Sequence, residues 1–334
     1  MIQGVQSRTN PWEVLADKVL KGETISTEEG LAVLRSDDHE LLSLLQAAFR
    51  VRYHFFGKKV KLNMIFNAKS GLCPENCGYC SQSIVSDAPI EKYTLLKKDV
   101  LVAGAREAME RKAGTYCIVA SGRGPTDREV EEVCSAVREI KQELGMKICA
   151  CLGILKEEQA RRLKDAGVDR YNHNLNTSAS HHTNITTSHT YEDRVGTVEK
   201  VKKAGISPCS GCIVGMGESD EQIMEMAYEL RRLDADSIPV NFLHAIPGTP
   251  LEGMDELDPR RCLRVLALFR FVCPPKEIRI SGGREVNLGS LQPLALYPAN
   301  ALFVGDYLTT EGQVADQDHQ MIRDLGFEIE EFAG

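Results

Sequence analysis

The feature that most constrains the fold is a regular alternation of short apolar runs with segments of helical period, which begins at Lys61. The apolar runs cover residues 61–66, 115–120, 147–152, 170–175, 206–214, 237–243, 277–281 and 301–305. Segments with helical spacing separate most of these runs, and glycine often marks the helix end. Strands that alternate with helices predict parallel βα units, and eight such units match an α/β fold of the closed (β/α)8 TIM type. The alternative is a doubly wound open sheet. Residues 58–334 are therefore expected to form one barrel domain.

A helical extension over residues 1–57 is predicted in front of the barrel. Its first helix follows an Asn10 cap and ends at Gly22, a second starts at Thr27, and a third starts at Asp38. No chemistry-bearing motif is found in this extension.

The amino-acid composition restricts the classes of function that are expected for this chain. The chain has 334 residues, 43% of them hydrophobic and 26% charged, with a net charge of −8, which is typical of a globular protein and argues against nucleic-acid binding. It contains no apolar window long enough for a membrane span and no apolar core of signal-peptide type, so we expect a cytoplasmic protein. Eleven cysteines then indicate metal binding or redox chemistry, because disulfides are disfavoured in that compartment.

The segment after the first predicted strand, NAKSGLCPENCGYCSQS, carries Cys73, Cys77 and Cys80. Pro74 and Gly78 among them predict a loop in which the thiolates converge. Thiolates are ligands of zinc and of iron–sulfur clusters. A zinc site would need a distant fourth ligand, whereas three ligands on a [4Fe–4S] cluster leave one iron open.

The C-x3-C-x-aromatic-C pattern, with Tyr79 before the last cysteine, resembles the radical S-adenosylmethionine (SAM) superfamily. The resemblance implies that the open iron binds the amino and carboxylate groups of SAM and that Tyr79 lies near the adenine. One electron from the cluster would then split the sulfonium and give a 5′-deoxyadenosyl radical.

Three further cysteines lie on predicted strands: Cys117 on the second, Cys149 on the third and Cys209 on the fifth. Inward positions of separate barrel strands converge, so these thiols could hold a second metal group. The alternative for any cysteine is a small buried hydrophobic residue. That alternative is preferred for Cys134, Cys262 and Cys273.

The segments CPENCGYCSQS, YNHNLNTS, CSGCIVGMGE and IRISGGRE together resemble the biotin synthase family, over a match that runs from about Lys61 to past Gly305. Residues 220–320 would be the biotin and thiamin synthesis-associated part of the barrel. The resemblance implies a [2Fe–2S] cluster inside the barrel. Its ligands would be Cys117, Cys149, Cys209 and Arg279.

The residues alone leave parts of this ligand set open. Cys151 lies two residues from Cys149, so both can face the interior, although the family motif favours Cys149. Cys212 lies three residues from Cys209, which places it on the opposite face of a regular strand. Arg279 would be interpreted as a salt-bridge partner or an anion clamp without the resemblance, because a guanidinium has no acceptor lone pair.

The segment RYNHNLNTS predicts three amides on one inward face, Asn172, Asn174 and Asn176, with His173 on the other face. These amides suit a ligand rich in polar groups, or form a hydrogen-bonded polar barrel layer. The resemblance places Asn174 and Asn241 against dethiobiotin, and Asn176 stands where many relatives carry aspartate. The SAM contacts it implies are Tyr79, Ala120, Asn174, Asn176, Arg194 and Ile213.

Three histidines, His181, His182 and His189, lie in the polar stretch TSASHHTNITTSHT. Such a tract can bind metal, but we expect a mobile polar loop over the pocket mouth.

The function that the resemblance implies is radical insertion of sulfur into dethiobiotin to form biotin, with the sulfur taken from the internal [2Fe–2S] cluster. A flavodoxin- or ferredoxin-type electron donor and a homodimer are also implied. Two alternatives are a related radical SAM enzyme that acts on another small molecule and a non-enzymatic iron–sulfur or zinc protein.

Overall fold

Parallel strands form a closed barrel, as predicted, in the computed structural model, which describes residues 10–331. The strands are β1 (Lys59–Lys69), β2 (Thr115–Ala120), β3 (Lys147–Cys151), β4 (Arg170–Asn172), β5 (Ser207–Cys209), β6 (Cys212–Val214), β7 (Ser237–Phe242), β8 (Glu277–Ile280), β9 (Ala301–Phe303) and β10 (Glu328–Ile329). They pair in the order β1–β2–β3–β4–β5–β7–β8–β9, and β9 pairs back with β1. The open-sheet alternative is therefore wrong.

The apolar run over residues 206–214 differs from the prediction of a single strand. It forms β5 and β6, which pair with β7 at different places along its length. The break falls at Gly211, where an added Cβ would lie 1.9 Å from the carbonyl oxygen of Pro239. Only glycine allows the two backbones to approach this closely, so the chain bends here. The two short strands share the fifth position of the barrel.

Helices surround the barrel. They are α1 (Pro11–Leu20), α2 (Thr27–Leu34), α3 (Leu41–Phe56), α4 (Lys98–Glu110), α5 (Asp127–Leu144), α6 (Glu157–Ala166), α7 (His182–Ile185), α8 (Tyr191–Lys203), α9 (Asp220–Arg232), α10 (Pro259–Val272), α11 (Arg284–Leu288) and α12 (Ala315–Asp324). The predicted alternation of strands and helices is confirmed, and the ends of α5 show why the local sequence sets its bounds. Thr126 and Glu129 form a reciprocal capping box at the start, and Gly145 follows the end with a φ of 62°.

The predicted N-terminal helices pack onto the outside of the barrel. The Asn10 side chain accepts a hydrogen bond from the backbone N–H of Trp12 at 3.0 Å, which starts α1 as expected. Helix α3 packs on α10, and α2 packs on α9 and α10. Arg35, directly after α2, lies 2.7 Å from Asp220 at the start of α9.

Residues 1–9 and 332–334 of the two predicted segments lie outside the described residues. No helix within residues 10–331 has the length and apolar character needed to cross a membrane.

Candidate active site with two groups of thiols

A cavity of about 330 Å³ lies inside the barrel, and both predicted groups of thiols meet there. Ser121 directly follows β2 and Gly153 lies two residues after β3, and both belong to its wall. The cavity therefore opens at the carboxyl ends of the strands, where (β/α)8 barrels place their active sites. Five of the six predicted ligand thiols line it: Cys73, Cys77, Cys80, Cys117 and Cys149.

The loop after β1, residues 70–83, carries the first three thiols and is called the cysteine loop below. Gly71 and Leu72 have positive φ values of 61° and 55°, which turn the chain out of the strand. The N–H of Cys80 then donates to the carbonyl oxygen of Cys77 at 3.2 Å. Burial raises the pKa of Cys73, and it raises the pKa of Cys80 to about 12, which favours the neutral thiols until a cation binds.

Glu75 and Asn76, between the first two loop cysteines, fix the cysteine loop to the segment before α8. The Glu75 carboxylate accepts hydrogen bonds from Ser188 Oγ at 2.6 Å and from His189 Nδ1. The Asn76 Oδ1 atom accepts from the backbone N–H groups of Thr187 and Ser188 at 3.0 and 3.1 Å. Burial raises the pKa of Glu75, but the hydrogen bonds that its carboxylate accepts from Ser188, His189 and Arg123 outweigh burial and lower the pKa. Sequence reasoning missed this anchor, because no pattern links Glu75 to a residue so far along the chain.

The prediction of a mobile loop around the three histidines is wrong. All three side chains are buried, and each ring makes a hydrogen bond. The Nε2 atom of His181 lies 3.0 Å from the carbonyl oxygen of Met216, and that of His182 lies 3.0 Å from the carbonyl oxygen of His189. His189 instead contacts Glu75 and lines the cavity. His189 thus contacts the cysteine loop and His181 contacts the segment after β6, and composition does not reveal such contacts.

Cys117, Cys149 and Cys209, called the strand thiols below, lie together in the barrel interior. Cys117 and Cys149 are direct partners in the register of β2 and β3, and all three are at most 4% exposed. Hydrogen bonding to Cys117, together with burial, raises the pKa of Cys149 well above its usual range, and Cys209 is raised in the same way by Cys149. Asn172 Nδ2 also donates to Cys209 Sγ at 3.3 Å.

Cys151 and Cys212, which lie close in sequence to the strand thiols, have different surroundings. Cys151 lines the cavity as well, which agrees with the expected two-residue alternation. Cys212 packs in the apolar core instead, on the other side of its strand. The remaining cysteines are also buried and lie in that core, as predicted: Cys134, Cys262 and Cys273.

Arg279 on β8 lines the same cavity and is 1% exposed. Its Nη2 atom donates to Glu277 Oε1 at 2.6 Å and to Ser237 Oγ at 2.8 Å, and its guanidinium lies 4.9 Å from the centre of the Phe303 ring. Burial lowers the pKa of Arg279, but the charge and the hydrogen bond of Glu277 outweigh it and raise the pKa. Its Nε atom has no hydrogen-bond partner within the described residues.

The three predicted amides all line the cavity. Asn174 Oδ1 accepts from Asn172 Nδ2 at 2.9 Å and from the N–H of Gly211 at 3.1 Å. This leaves the Nδ2 atom of Asn174 for a ligand. His173, expected on the opposite face, also contributes to the wall, because β4 ends at Asn172 and the strand alternation stops there.

Asn176 joins the cysteine loop to Arg194. With the amide turned so that its oxygen faces the cation, Oδ1 accepts from Arg194 Nη1 at 3.1 Å, from Arg194 Nη2 at 3.2 Å and from the Tyr79 hydroxyl. Arg194 Nη1 also donates to the carbonyl oxygen of Asn174 at 2.9 Å. The Nε atom of Arg194 is buried and, among the described residues, unpartnered.

The last predicted contact residues lie in the same wall. Ala120 and Ile213 line the cavity with Asn241. The Asn241 amide is held by backbone groups: Nδ2 donates to the carbonyl oxygen of Cys212 and Oδ1 accepts from the N–H of Gly282, both at 2.9 Å. A second cavity of about 210 Å³ adjoins this point and shares Tyr79, Ile213 and Asn241 with the first.

The donor sets fit iron–sulfur clusters better than single metal ions. Among residues 10–331, the only group of three or more His, Cys, Asp and Glu donors gathered within 4.8 Å is the set Asp37, His39 and Glu40. Neither thiol group is that compact, so neither is a ready single-ion zinc site. The unpartnered Nε atoms of Arg194 and Arg279 fit acceptor atoms of bound groups.

A barrel with three thiols on the loop after its first strand is the arrangement expected of a radical SAM enzyme. The family model described as the Radical SAM superfamily matches residues 69–230. A second model, described as the Biotin and Thiamin Synthesis associated domain, matches residues 239–328.

The chain belongs to the biotin synthase family. It is 64% identical over 325 residues to the biotin synthase of Bacillus pumilus, covering 97% of this chain and 98% of that protein. It is 67% identical over 319 residues to the biotin synthase of Halalkalibacterium halodurans, covering 96% of each. This membership implies a [4Fe–4S] cluster, SAM and a [2Fe–2S] cluster, and it favours the main functional prediction over both alternatives.

Solved structures with the same fold are more distant in sequence. Methylornithine synthase superposes with a TM-score of 0.82 at 19% identity, covering 96% of this chain and 98% of that one. The [FeFe]-hydrogenase maturase of Carboxydothermus hydrogenoformans superposes with a TM-score of 0.81 at 17% identity, covering 95% and 78%. These likenesses support the barrel fold alone.

Proposed function

We propose that this protein is a radical SAM sulfurtransferase that converts dethiobiotin to biotin with two clusters held by separate groups of thiols. Cys73, Cys77 and Cys80 hold the [4Fe–4S] cluster. The [2Fe–2S] cluster has four ligands: Cys117, Cys149, Cys209 and Arg279. When bound, the first cluster and SAM supply a radical that removes hydrogen from unactivated carbons, and the second cluster supplies the sulfur.

The observation that carries this proposal is the shared cavity. The cysteine loop, Cys117 and Cys149 line one cavity, and Cys209 packs against the last two, so a substrate in this cavity would contact both sites without leaving the barrel. A structural metal protein has no need for such a space, which polar groups line on several sides. Burial of the strand thiols also keeps bulk water from the sulfur donor.

Some polar side chains of the cavity wall bind SAM, and others bind the substrate. Arg194 offers a fixed cation to the SAM carboxylate, and Asn176 offers an acceptor beside the Tyr79 hydroxyl. Ala120 and Ile213 complete the SAM contacts. Asn174 and Asn241 orient dethiobiotin, because amides both donate to and accept from a ureido group.

The same proposal includes the protein's cellular compartment, oligomeric state and electron donor. We expect a cytoplasmic homodimer that takes electrons from a flavodoxin- or ferredoxin-type carrier. None of the eleven cysteines, which all lie within the described residues, forms a disulfide, and this agrees with a reducing compartment. Sedimentation of the reconstituted protein tests the oligomeric state, and a monomer under assay conditions would contradict this part of the proposal.

Anaerobic reconstitution with iron and sulfide tests the function. We expect spectra of both cluster types and, after addition of SAM, dethiobiotin and reductant, formation of biotin with methionine and 5′-deoxyadenosine. A single cluster type with no biotin would overturn the proposal. Cys77→Ala provides the matched control, because it should abolish cleavage of SAM while the [2Fe–2S] spectrum remains.

A further inference from the structure

A buried group of charges lies beneath the strand thiols at the amino ends of the barrel strands. Glu277 is the first residue of β8, and Arg170 and Ser237 are the first residues of β4 and β7. Lys61 on β1 and Arg279 on β8 complete the group. Glu277 is 2% exposed, so it needs partners for its charge.

Both oxygens of Glu277 are engaged. Its Oε1 atom accepts from Arg279 Nη2 at 2.6 Å and from Ser237 Oγ at 2.8 Å. Its Oε2 atom accepts from Arg170 Nη1 at 2.7 Å, and Lys61 Nζ lies 3.4 Å away. One carboxylate therefore links Arg279 to two outer cations on other strands.

These contacts anchor only one edge of the Arg279 guanidinium. Glu277 and Arg279 are two residues apart on β8, so their side chains lie on the same face. Nη2 is bonded to Glu277 and Ser237, and the ring of Phe303 lies 4.9 Å from the guanidinium. Nε has no partner within the described residues. The anchored edge thus leaves the other edge for a group held by the strand thiols.

We propose that Glu277 is a positioning residue that fixes the guanidinium of Arg279 for the [2Fe–2S] cluster. This inference rests on the proposed function, because it needs a cluster at the strand thiols. It adds a role for a residue that does not touch that cluster. The competing interpretation is a buried ion pair that contributes only to the stability of the barrel floor, and Arg170 distinguishes the two, because it shares the Glu277 carboxylate without contacting Arg279.

The test compares Glu277→Gln, Glu277→Asp and Arg170→Gln in the full-length protein after anaerobic reconstitution. Three quantities are measured: the [2Fe–2S] content by Mössbauer spectroscopy, the rate at which its absorbance is lost to a chelator, and the urea midpoint of the apoprotein. Outer partners of metal ligands typically change metal affinity by about 10- to 100-fold when mutated.

We expect both Glu277 variants to lose the [2Fe–2S] absorbance at least about tenfold faster than wild type, with unchanged [4Fe–4S] content. Arg170→Gln should lower the urea midpoint but keep the wild-type rate. Glu277→Asp is decisive if Glu277→Gln does not fold, because it keeps the charge and withdraws the carboxylate from Arg279. Wild-type rates in the Glu277 variants that fold, or equal losses in all three, would overturn the inference. A wild-type protein with no [2Fe–2S] cluster would instead overturn the proposed function.

Discussion

Cys117 and Cys149 are direct partners across β2 and β3, whereas the partner of Cys151 in the same register is Val119. Cys149 therefore stands beside another thiol, and Cys151 lies one pleat nearer the carboxyl ends of the strands, where Asn174 and Arg194 line the cavity. The register thus separates two cysteines that alternation alone places on one face.

The first prediction concerns this pair. Cys149→Ala should abolish the [2Fe–2S] absorbance after reconstitution, because it removes the thiol between Cys117 and Cys209. Cys151→Ala should retain that absorbance, since the strand thiols remain together. Absorption and Mössbauer spectra of the two variants check this. Loss of the [2Fe–2S] signal in Cys151→Ala, with retention in Cys149→Ala, would reverse the ligand assignment.

A second prediction concerns the anchor of the cysteine loop. Glu75→Gln should increase the rate of [4Fe–4S] loss by about tenfold, because it removes the charge that holds Ser188, His189 and Arg123. Asp193→Asn is the matched control, since Asp193 contacts Arg123 at 3.5 Å but not the cysteine loop. Equal rates of absorbance loss in the two variants would argue against an anchoring role.

A third prediction concerns Asn176 and SAM. Asn176→Ala should weaken SAM binding about fivefold, or about 1 kcal/mol, because it removes the acceptor that faces Arg194 and Tyr79. Asn176→Asp should bind SAM at least as tightly as wild type, since a carboxylate is a stronger acceptor. Equilibrium binding to the protein with its [4Fe–4S] cluster gives both values. An unchanged dissociation constant in Asn176→Ala would remove Asn176 from the SAM site.

A fourth prediction concerns the contact between the N-terminal helices and the barrel. Burial raises the pKa of Asp220, but hydrogen bonds from Arg35 and Arg261 outweigh it and lower the pKa below the usual value of an aspartate. The ion pairs of Asp220 with Arg35 and Arg261 therefore stabilise the fold above the unfolded-state pKa of the aspartate. This contribution is lost as the pH falls through the folded-state pKa. Asp220→Asn should lower the free energy of unfolding by about 1 kcal/mol at neutral pH and by less in acid.

Urea unfolding of the apoprotein at neutral and acidic pH checks the Asp220 prediction. Glu221→Gln is the control, because Glu221 pairs with the same Arg35 but is 59% exposed, so its effect should be small at either pH. A pH-independent loss in Asp220→Asn would show that the carboxylate acts through packing alone.

Local patterns were enough to predict the barrel and its helices. The helix from Asp127 to Leu144 has its own capping box and glycine stop, so neither end depends on distant residues. The division of residues 206–214 was missed, because the need for Gly211 arises from the backbone of Pro239 on the next strand. Hydropathy cannot report such a contact.

The same distinction applies to the site. The spacing of Cys73, Cys77 and Cys80 is local, and the sequence predicts their loop directly. The contact of Glu75 with His189, and that of Glu277 with Arg170, joins residues more than 100 positions apart. Each partner alone resembles an ordinary charged or polar residue. Only the closed barrel brings them together and gives the buried charges their partners.

We infer that the cluster at the strand thiols supplies the sulfur of biotin. The most direct measurement reconstitutes the protein with heavy-isotope sulfide and removes the excess. A single turnover is then run in the presence of unlabelled sulfide and cysteine, and the mass of the biotin is recorded. We predict heavy sulfur in the product of the wild type, and no biotin from Cys149→Ala although its [4Fe–4S] site is intact. Biotin that carries only unlabelled sulfur would contradict a cluster origin of the sulfur.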